Sequence, residues 1–572
     1  MNVGSQKHIS KKKKRRFYGN QYLRSPVSKP RASVVEQTID SDSSSSIEID
    51  ECEEESVKNI ITGSFNWRPL IRKPEFSAAP VSCFKHVALS NCWDRIVAGV
   101  MVEVRSPDCK TCCTTTPCSY WIASVVKVSG YWGLLRYVGA EDFTVRYNHL
   151  RDKWVNLCTH PHIHPIGWCA KHRKPLVPPK SLENLVDSWS SYLLKKMVGA
   201  KTIPSDFAFK IEENMHNTLK KGMKLEVVDK NLISAVRSAE VTEVVGGRLH
   251  VKYTESDNLD EGFWCHERSP LIHPVGWAQI IGHDLKARPE YARKSLKKTL
   301  YRTFKPDDAT WDMFLPVYNP SKKLYFKKGM KLEAIDPLNL STICVATVTK
   351  VLRNNYLMIG IDGMMAANGS DCFCYHASSP SIFPVGFCES NEIELTPPRG
   401  YKGEFIWSEY LKKTKSDAAP VELFHRPLPN HGFKAGMYLE AVDLMEPRLI
   451  CVAYVTQVVG RLLRVHFEGW EDDYDQWCDC ESPDLFPIGW CEILNYKLEP
   501  PRTDGTEEKK KKKKKTLTKK KRRKFRSKKS ADDSPPMPKL KQLETPPEIV
   551  KRPSRSARPL INLEEYTSES DE

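Results

Sequence analysis

Long hydrophobic runs are missing from this chain of 572 residues. No stretch of about 18 apolar residues occurs, the length a membrane-crossing helix needs, and no membrane partner is expected. The basic cluster from Lys11 to Arg16 has no apolar segment behind it, which argues against a secretory signal. Both absences point to an intracellular protein whose eighteen cysteines stay reduced and serve as small buried hydrophobes. Cys344 in STICVATV and Cys451 in LICVAYV have that setting. Cys109, Cys112, Cys113 and Cys118 open with C-x2-C spacing, but tetrahedral zinc takes a second ligand pair some distance away, and none lies near SPDCKTCCTTTPCSYW. A surface loop without metal is the expectation there.

Catalytic signatures are equally scarce. The chain has no nucleophile elbow, no phosphate-binding loop and no paired-carboxylate motif. His164 and Cys169 offer a Cys/His pair, yet Phe383 stands where a related segment has that histidine. The reading is of a binding protein without cofactor, not an enzyme.

The formal charge of +17 is unevenly placed. Residues 1–35 hold ten Lys/Arg and no acid, residues 36–57 nine acids and no base, and residues 501–572 hold 23 bases against 12 acids. The middle of the chain is nearly balanced. Segments 1–63 and 502–572 have little to bury and read as disordered tails. Their blocks Lys11 to Arg16 and Lys509 to Lys529 suit nuclear import or the phosphates of nucleosomal DNA; the plainer alternative is a solubilising tail.

Between the tails the sequence repeats itself. Four closing phrases align, IHPIGWC from Ile163, IHPVGW from Ile272, IFPVGFC from Ile382 and LFPIGWC from Leu485, their prolines 109, 110 and 103 residues apart. Four opening phrases match them, GVMVEVRS from Gly99, GMKLEVVD from Gly222, GMKLEAID from Gly329 and GMYLEAVD from Gly436. A unit of about a hundred residues is a domain in its own right, and the expected units are 64–178, 179–285, 286–397 and 398–501. Within each, β-branched runs such as ICVAYVTQVV and RLLRVHF alternate with tight turns, which predicts a mainly β protein of small antiparallel barrels. Helical or extended arms precede the barrels, and Trp67, Trp189 and Trp407 are expected to anchor them by burying apolar area.

One stretch departs from the repeat. HFEGWEDDYDQW, His466 to Trp477, packs four aromatic rings and five carboxylates into twelve positions. Trp477 has counterparts in Trp154, Trp264 and Phe373 and is therefore core. Phe467 has partial counterparts in Tyr137, Tyr253 and Ile361, but the place of Trp470 holds Ala140, Ser256 and Met364, and Tyr474 has no clear aromatic equivalent. A packing stripe would recur in every copy of one fold, and Gly469 with the incoming run RLLRVHF argues against a helix, so these rings belong to a site. Asp443 ends the GMYLEAVD strand; Asp229 and Asp336 hold its place in units without the rings, and a purely structural role at the turn stays open.

These phrases resemble malignant brain tumour (MBT) repeats, four in tandem over about residues 64–500: the GMKLEAVD-type strand, the HPVGWC phrase and the W-x2-Y-L…AAP arm of FIWSEYLKKTKSDAAPVELF. Four-repeat relatives carry an N-terminal zinc finger on paired cysteines; ahead of residue 60 only Cys52 occurs here, so no finger is expected. The resemblance implies Tudor-like barrels, and in ligand-competent repeats an aspartate pairs with a methylated ammonium while three rings surround it. The matching residues are Asp443, Phe467, Trp470 and Tyr474. The asparagine that often follows three residues after the aspartate is Glu446 here, whereas the third unit retains Asn339 without the rings. Implied partners are histone tails carrying mono- or dimethyl-lysine and subunits of Polycomb-type repressor complexes in the nucleus, with nucleosomal DNA held by the Lys/Arg tails. The rival expectation is a DNA-binding scaffold whose repeats are passive.

Overall fold

A computed structural model describes residues 62–502, apart from 110–117, 141–151, 215–216, 256–261, 317–324, 364–368 and 425. Residues 1–61 and 503–572, which make up nearly all of the two tails, and Cys112 and Cys113 lie outside the described residues. The alternating runs form four sheets with a common antiparallel strand order, and the second, third and fourth add one short parallel strand. In the first, Met101–Arg105, Tyr120–Ser129, Trp132–Tyr137 and Lys153–Asn156 pair in succession, and Ile163–Pro165 returns to the open edge of the first strand. The fourth does the same with Tyr438–Val442, Ile450–Val459, Leu462–Phe467, Gln476–Asp479 and Leu485–Phe486. The long second strand of every sheet slips register at the same place, at Val125/Lys127, Val241/Glu243, Val348/Lys350 and Val455/Gln457. A bulge bends its strand, and each sheet curls around its own apolar face, in the fourth around Leu439, Val455, Leu463 and Val465. No helix among the described residues is long and apolar enough to cross a membrane.

The opening and closing phrases recur because they meet. Glu440, buried in the Tyr438–Val442 strand, accepts the backbone N–H of Gly489 at 2.7 Å and of Cys491 at 2.8 Å. Glu103 does this for Gly167 and Cys169, Glu226 for Gly276 and Ala278, and Glu333 for Gly386 and Cys388. The GWC phrase starts a helical turn whose first N–H groups have no partner within the turn, and the glutamate of GMxLE supplies it. Burial pushes the carboxyls of Glu226 and Glu440 up to about 7 despite these donors.

Each arm packs on the barrel before its own, through an isolated parallel bridge at the barrel's first strand: Thr202 on Met101, Asp308 on Lys224 and Ala418 on Lys331. The first arm has no preceding barrel, and its Ala78 bridges to Tyr438 of the fourth, closing the four units into a ring. Trp67 is buried there as expected, but Trp189 and Trp407 are only half-buried. Trp407 holds instead by its Nε1–H to Glu333 at 2.9 Å, and Trp189 by stacking edge-on to Trp121 at 5.3 Å. The third arm, the helix Pro289–Tyr301, uses Tyr291 toward Glu226 where the first and fourth use tryptophan toward theirs, which hid it from the sequence pattern.

Candidate functional site

In the fourth barrel the Tyr438–Val442 strand runs out at Val442 opposite Ile450, and the Leu462–Phe467 strand runs out at Phe467 opposite Ala453. Both run antiparallel to the strand between them, so Asp443 and Phe467 emerge at the same end of the sheet. Asp443 is buried, and its Oδ1 accepts the backbone N–H of Met445 at 3.0 Å and of Glu446 at 3.3 Å. This is the local turn that Asp229 and Asp336 also make, with Asn231 and Leu338. The Glu446 carboxylate lies 2.9 Å from Arg448.

Phe467 closes the barrel core at 3 % exposure, and Trp470 packs against the same apolar cluster while half-exposed. Between them Gly469 takes φ +80°, a conformation that side-chain-bearing residues rarely adopt. A short 3-10 turn, Asp472–Tyr474, then brings the half-exposed Tyr474 ring to 5.4 Å from Trp470, tilted by 61°. The three rings thus come from one strand end and one loop, at the end of the sheet where Asp443 emerges. Trp477 is buried as expected, in the contact with the third repeat beside Ile343 and Phe383.

Of the five carboxylates in HFEGWEDDYDQW, four reach solvent. Glu471, Asp472 and Asp473 are exposed and Glu468 is half-buried, but Asp475 is 2 % exposed and already paired, with His466 Nδ1 at 2.7 Å and Arg464 Nε at 2.8 Å. Two residues before Trp477, it lies on the face of the strand that Trp477 packs against the third repeat, and this takes it out of solvent. Among the described residues His466, Asp472 and Asp475 are the one group of three whose donor atoms converge within 4.8 Å. Arg464 brings a positive charge to this group, its Nε 2.8 Å from Asp475.

Three supports escaped the sequence reading. Gln476 is fully buried, donates to Val442 O at 2.8 Å and accepts from Leu444 N at 3.3 Å, tying the aspartate turn to the ring loop. Its counterparts are Lys153, Phe263 and Cys372, so the comparison that singled out Trp470 could have found it. Arg248 of the second repeat, also fully buried, hydrogen-bonds the Pro447 carbonyl in the turn after Asp443 and faces Tyr496 at 5.2 Å; only the ring arrangement brings it there. Arg502 places its guanidinium 5.1 Å from the Trp470 ring centre.

The second repeat shows the contrast. Lys286 Nζ lies 3.4 Å from Asp229 Oδ2, and the Arg237 guanidinium stands 4.3 Å over Tyr253, the counterpart of Phe467. In the second repeat the aspartate and the ring at these strand ends thus already face cations of the chain itself.

Comparison with known proteins agrees with this architecture. The model of the mbt repeat family matches residues 110–183, 223–292, 330–402 and 437–504. MBT domain-containing protein 1 of Xenopus laevis is 52% identical over 447 residues, 78% of this chain and 69% of that protein. Polycomb protein Sfmbt of Drosophila melanogaster is 47% identical over 456 residues, 77% of this chain but 36% of that protein. The crystal structure of the four MBT repeats of Drosophila melanogaster Sfmbt in complex with peptide RHR (me)K VLR superposes with a TM-score of 0.70 at 46% identity, covering 77% of this chain and 99% of that one. With four matching repeats and relatives identical at half their aligned positions, the chain belongs to the MBT repeat family.

Proposed function

We propose that the fourth repeat reads mono- and dimethyl-lysine in histone tails, without turnover, and that the protein acts in the nucleus in Polycomb-type transcriptional repression and chromatin compaction. The observation that carries this is the convergence of Asp443 with Phe467, Trp470 and Tyr474 at one end of one barrel. Ring faces attract a cation by about 0.5 to 2 kcal/mol each, depending on desolvation. Methylation makes an ammonium easier to strip of water, while a carboxylate needs an N–H to bond, which trimethyl-lysine lacks. Low methylation states are therefore favoured. The acids Glu468, Glu471, Asp472 and Asp473 draw a basic peptide toward the rings. The methylated lysine in the peptide bound to the Sfmbt repeats supports the same chemistry.

A pocket of this size holds its ligand weakly, at roughly 1 mM to 40 µM, and the Lys/Arg tails add affinity by holding nucleosomal DNA. Titration of the full chain and its Trp470→Ala variant with un-, mono-, di- and trimethylated histone peptides tests the reading. Wild type is expected to prefer the mono- and dimethyl forms, and the variant to lose that preference. If Trp470→Ala changes nothing while deletion of residues 503–572 abolishes nucleosome binding, the protein is a scaffold with passive repeats instead.

A further inference from the structure

After the fourth barrel the chain does not leave directly. Leu498–Glu499 pairs in parallel with Ile450–Cys451, and the residues after it cross the turn between Phe467 and Trp470. The crossing is close: a Cβ on Gly469 would stand 2.5 Å from Arg502 O and 2.8 Å from Arg502 N, so only glycine lets the strap lie down. The third repeat has the same strap. Leu395–Thr396 pairs with Ile343–Cys344, and a Cβ on Gly363 would stand 2.6 Å from Arg399 N and 2.9 Å from Arg399 O. An arginine in PPR thus follows from the repeat itself, at Arg399 and Arg502 alike. What differs is the residue after the glycine, Met364 in one repeat and Trp470 in the other. Only in the fourth does the strap's guanidinium meet an indole.

We infer that Arg502 is a resident cation of the Trp470 ring and sets the affinity of the site by competing with the alkylated ammonium for the same π-cloud. The inference rests on the reading of the fourth repeat as a methyl-lysine site. An exposed guanidinium over an indole gains a modest amount by this contact, equivalent to about two- to fivefold in an equilibrium constant. A competitor built into the chain lowers the apparent affinity for every ligand by one common factor. It therefore weakens binding without altering the choice among methylation states. Long-range repulsion between Arg502 and a basic peptide would also weaken binding, but salt screens that effect and leaves a contact over the ring largely intact.

The test is calorimetric titration of full-length wild type and Arg502→Ala with mono- and dimethyl-lysine histone peptides, at 0.15 and 0.5 M NaCl. Arg502→Ala is expected to bind both peptides about two- to fivefold more tightly, with their ratio unchanged and the gain kept at high salt. An unchanged or weakened affinity, or a gain that vanishes at 0.5 M NaCl, overturns the inference. A ligand-free measurement separates it from the functional reading. With 5-fluorotryptophan incorporated and the residue 470 resonance identified by Trp470→Phe, Arg502→Ala is expected to shift that resonance. If wild type selects no methylated peptide, the reading fails on its own; if the resonance does not move, Arg502 is not on the ring.

Discussion

Trp67 donates its indole N–H to Glu440 Oε1 at 2.8 Å across 373 residues of chain, and this bond joins the first arm to the last barrel. The same carboxylate holds the Gly489 and Cys491 amides. The arm beginning the first repeat thereby completes the barrel that carries the candidate site. Disturbance at residue 67 is expected to reach the fourth repeat before the first.

Trp67→Phe keeps most of the buried ring and removes only the N–H. Loss of a hydrogen bond to a charged group costs about 1.5–3 kcal/mol. The cost is expected to depend on pH, because the N–H favours the ionised carboxyl and burial holds the Glu440 pKa at about 7. Removing the donor raises that pKa further. Urea unfolding should show a larger loss at pH 8, where Glu440 is ionised, than at pH 5.5, where it is protonated in the fold.

The three rings are not equivalent as probes. Phe467 is 3 % exposed in the barrel core, and Phe467→Ala is expected to cost about 3–5 kcal/mol of stability through the cavity it leaves. Trp470 and Tyr474 are only partly buried, so Trp470→Ala should cost clearly less in urea than Phe467→Ala while abolishing the preference for methylated peptide. A large stability loss in Trp470→Ala would mark the indole as core and remove the basis of the proposed function.

Asp475→Asn tests whether the buried pairing positions Tyr474. The amide keeps one acceptor but not the charge that His466 and Arg464 share at 2.7 and 2.8 Å. Stability is expected to fall by about 1–3 kcal/mol, the range for leaving buried hydrogen-bonding partners incompletely satisfied. Peptide affinity should fall severalfold with the order of methylation preference retained, because the rings stay present but the turn bearing Tyr474 loosens. An unaltered affinity would show that the pairing serves the fold alone.

How much of this was legible in the sequence depends on whether a signal was periodic. Strand alternation and the recurring GMxLE and HPxGW phrases announce barrels, because each copy must bury the same face. The four-way comparison separated Trp477, which is buried, from Trp470, which is only partly so, because a core position recurs in every copy. It could not show that Asp475 is buried and Glu468, Glu471, Asp472 and Asp473 are not, since five acids in one loop differ only in where the strand turns them. Arg248 and Pro447 were invisible for another reason: 199 residues separate them, and only closure of the ring brings them together. The third arm was missed because Tyr291 replaces the tryptophan that identified the others.

Acid sensitivity provides the last prediction, since the repeats contain their own control. His273 stacks on Trp277 with ring centres 3.6 Å apart, as Phe383 does on Phe387 and Phe486 on Trp490. Burial holds the His273 pKa down at about 3, with a smaller push from His283. A histidine whose folded pKa is depressed contributes stability that is present above its unfolded value, near 6.5, and lost as pH falls toward 3. His273→Phe installs the residue that two sister repeats already use. At pH 7 the change should be small, under about 1.5 kcal/mol, as for a near-isosteric swap. At pH 4.5 wild type should have lost about 2–3 kcal/mol that the variant keeps, because each pH step below the unfolded value costs about 1.4 kcal/mol. Urea midpoints between pH 4.5 and 7 measure this directly, and parallel curves for the two proteins would mean that His273 accepts its proton without cost.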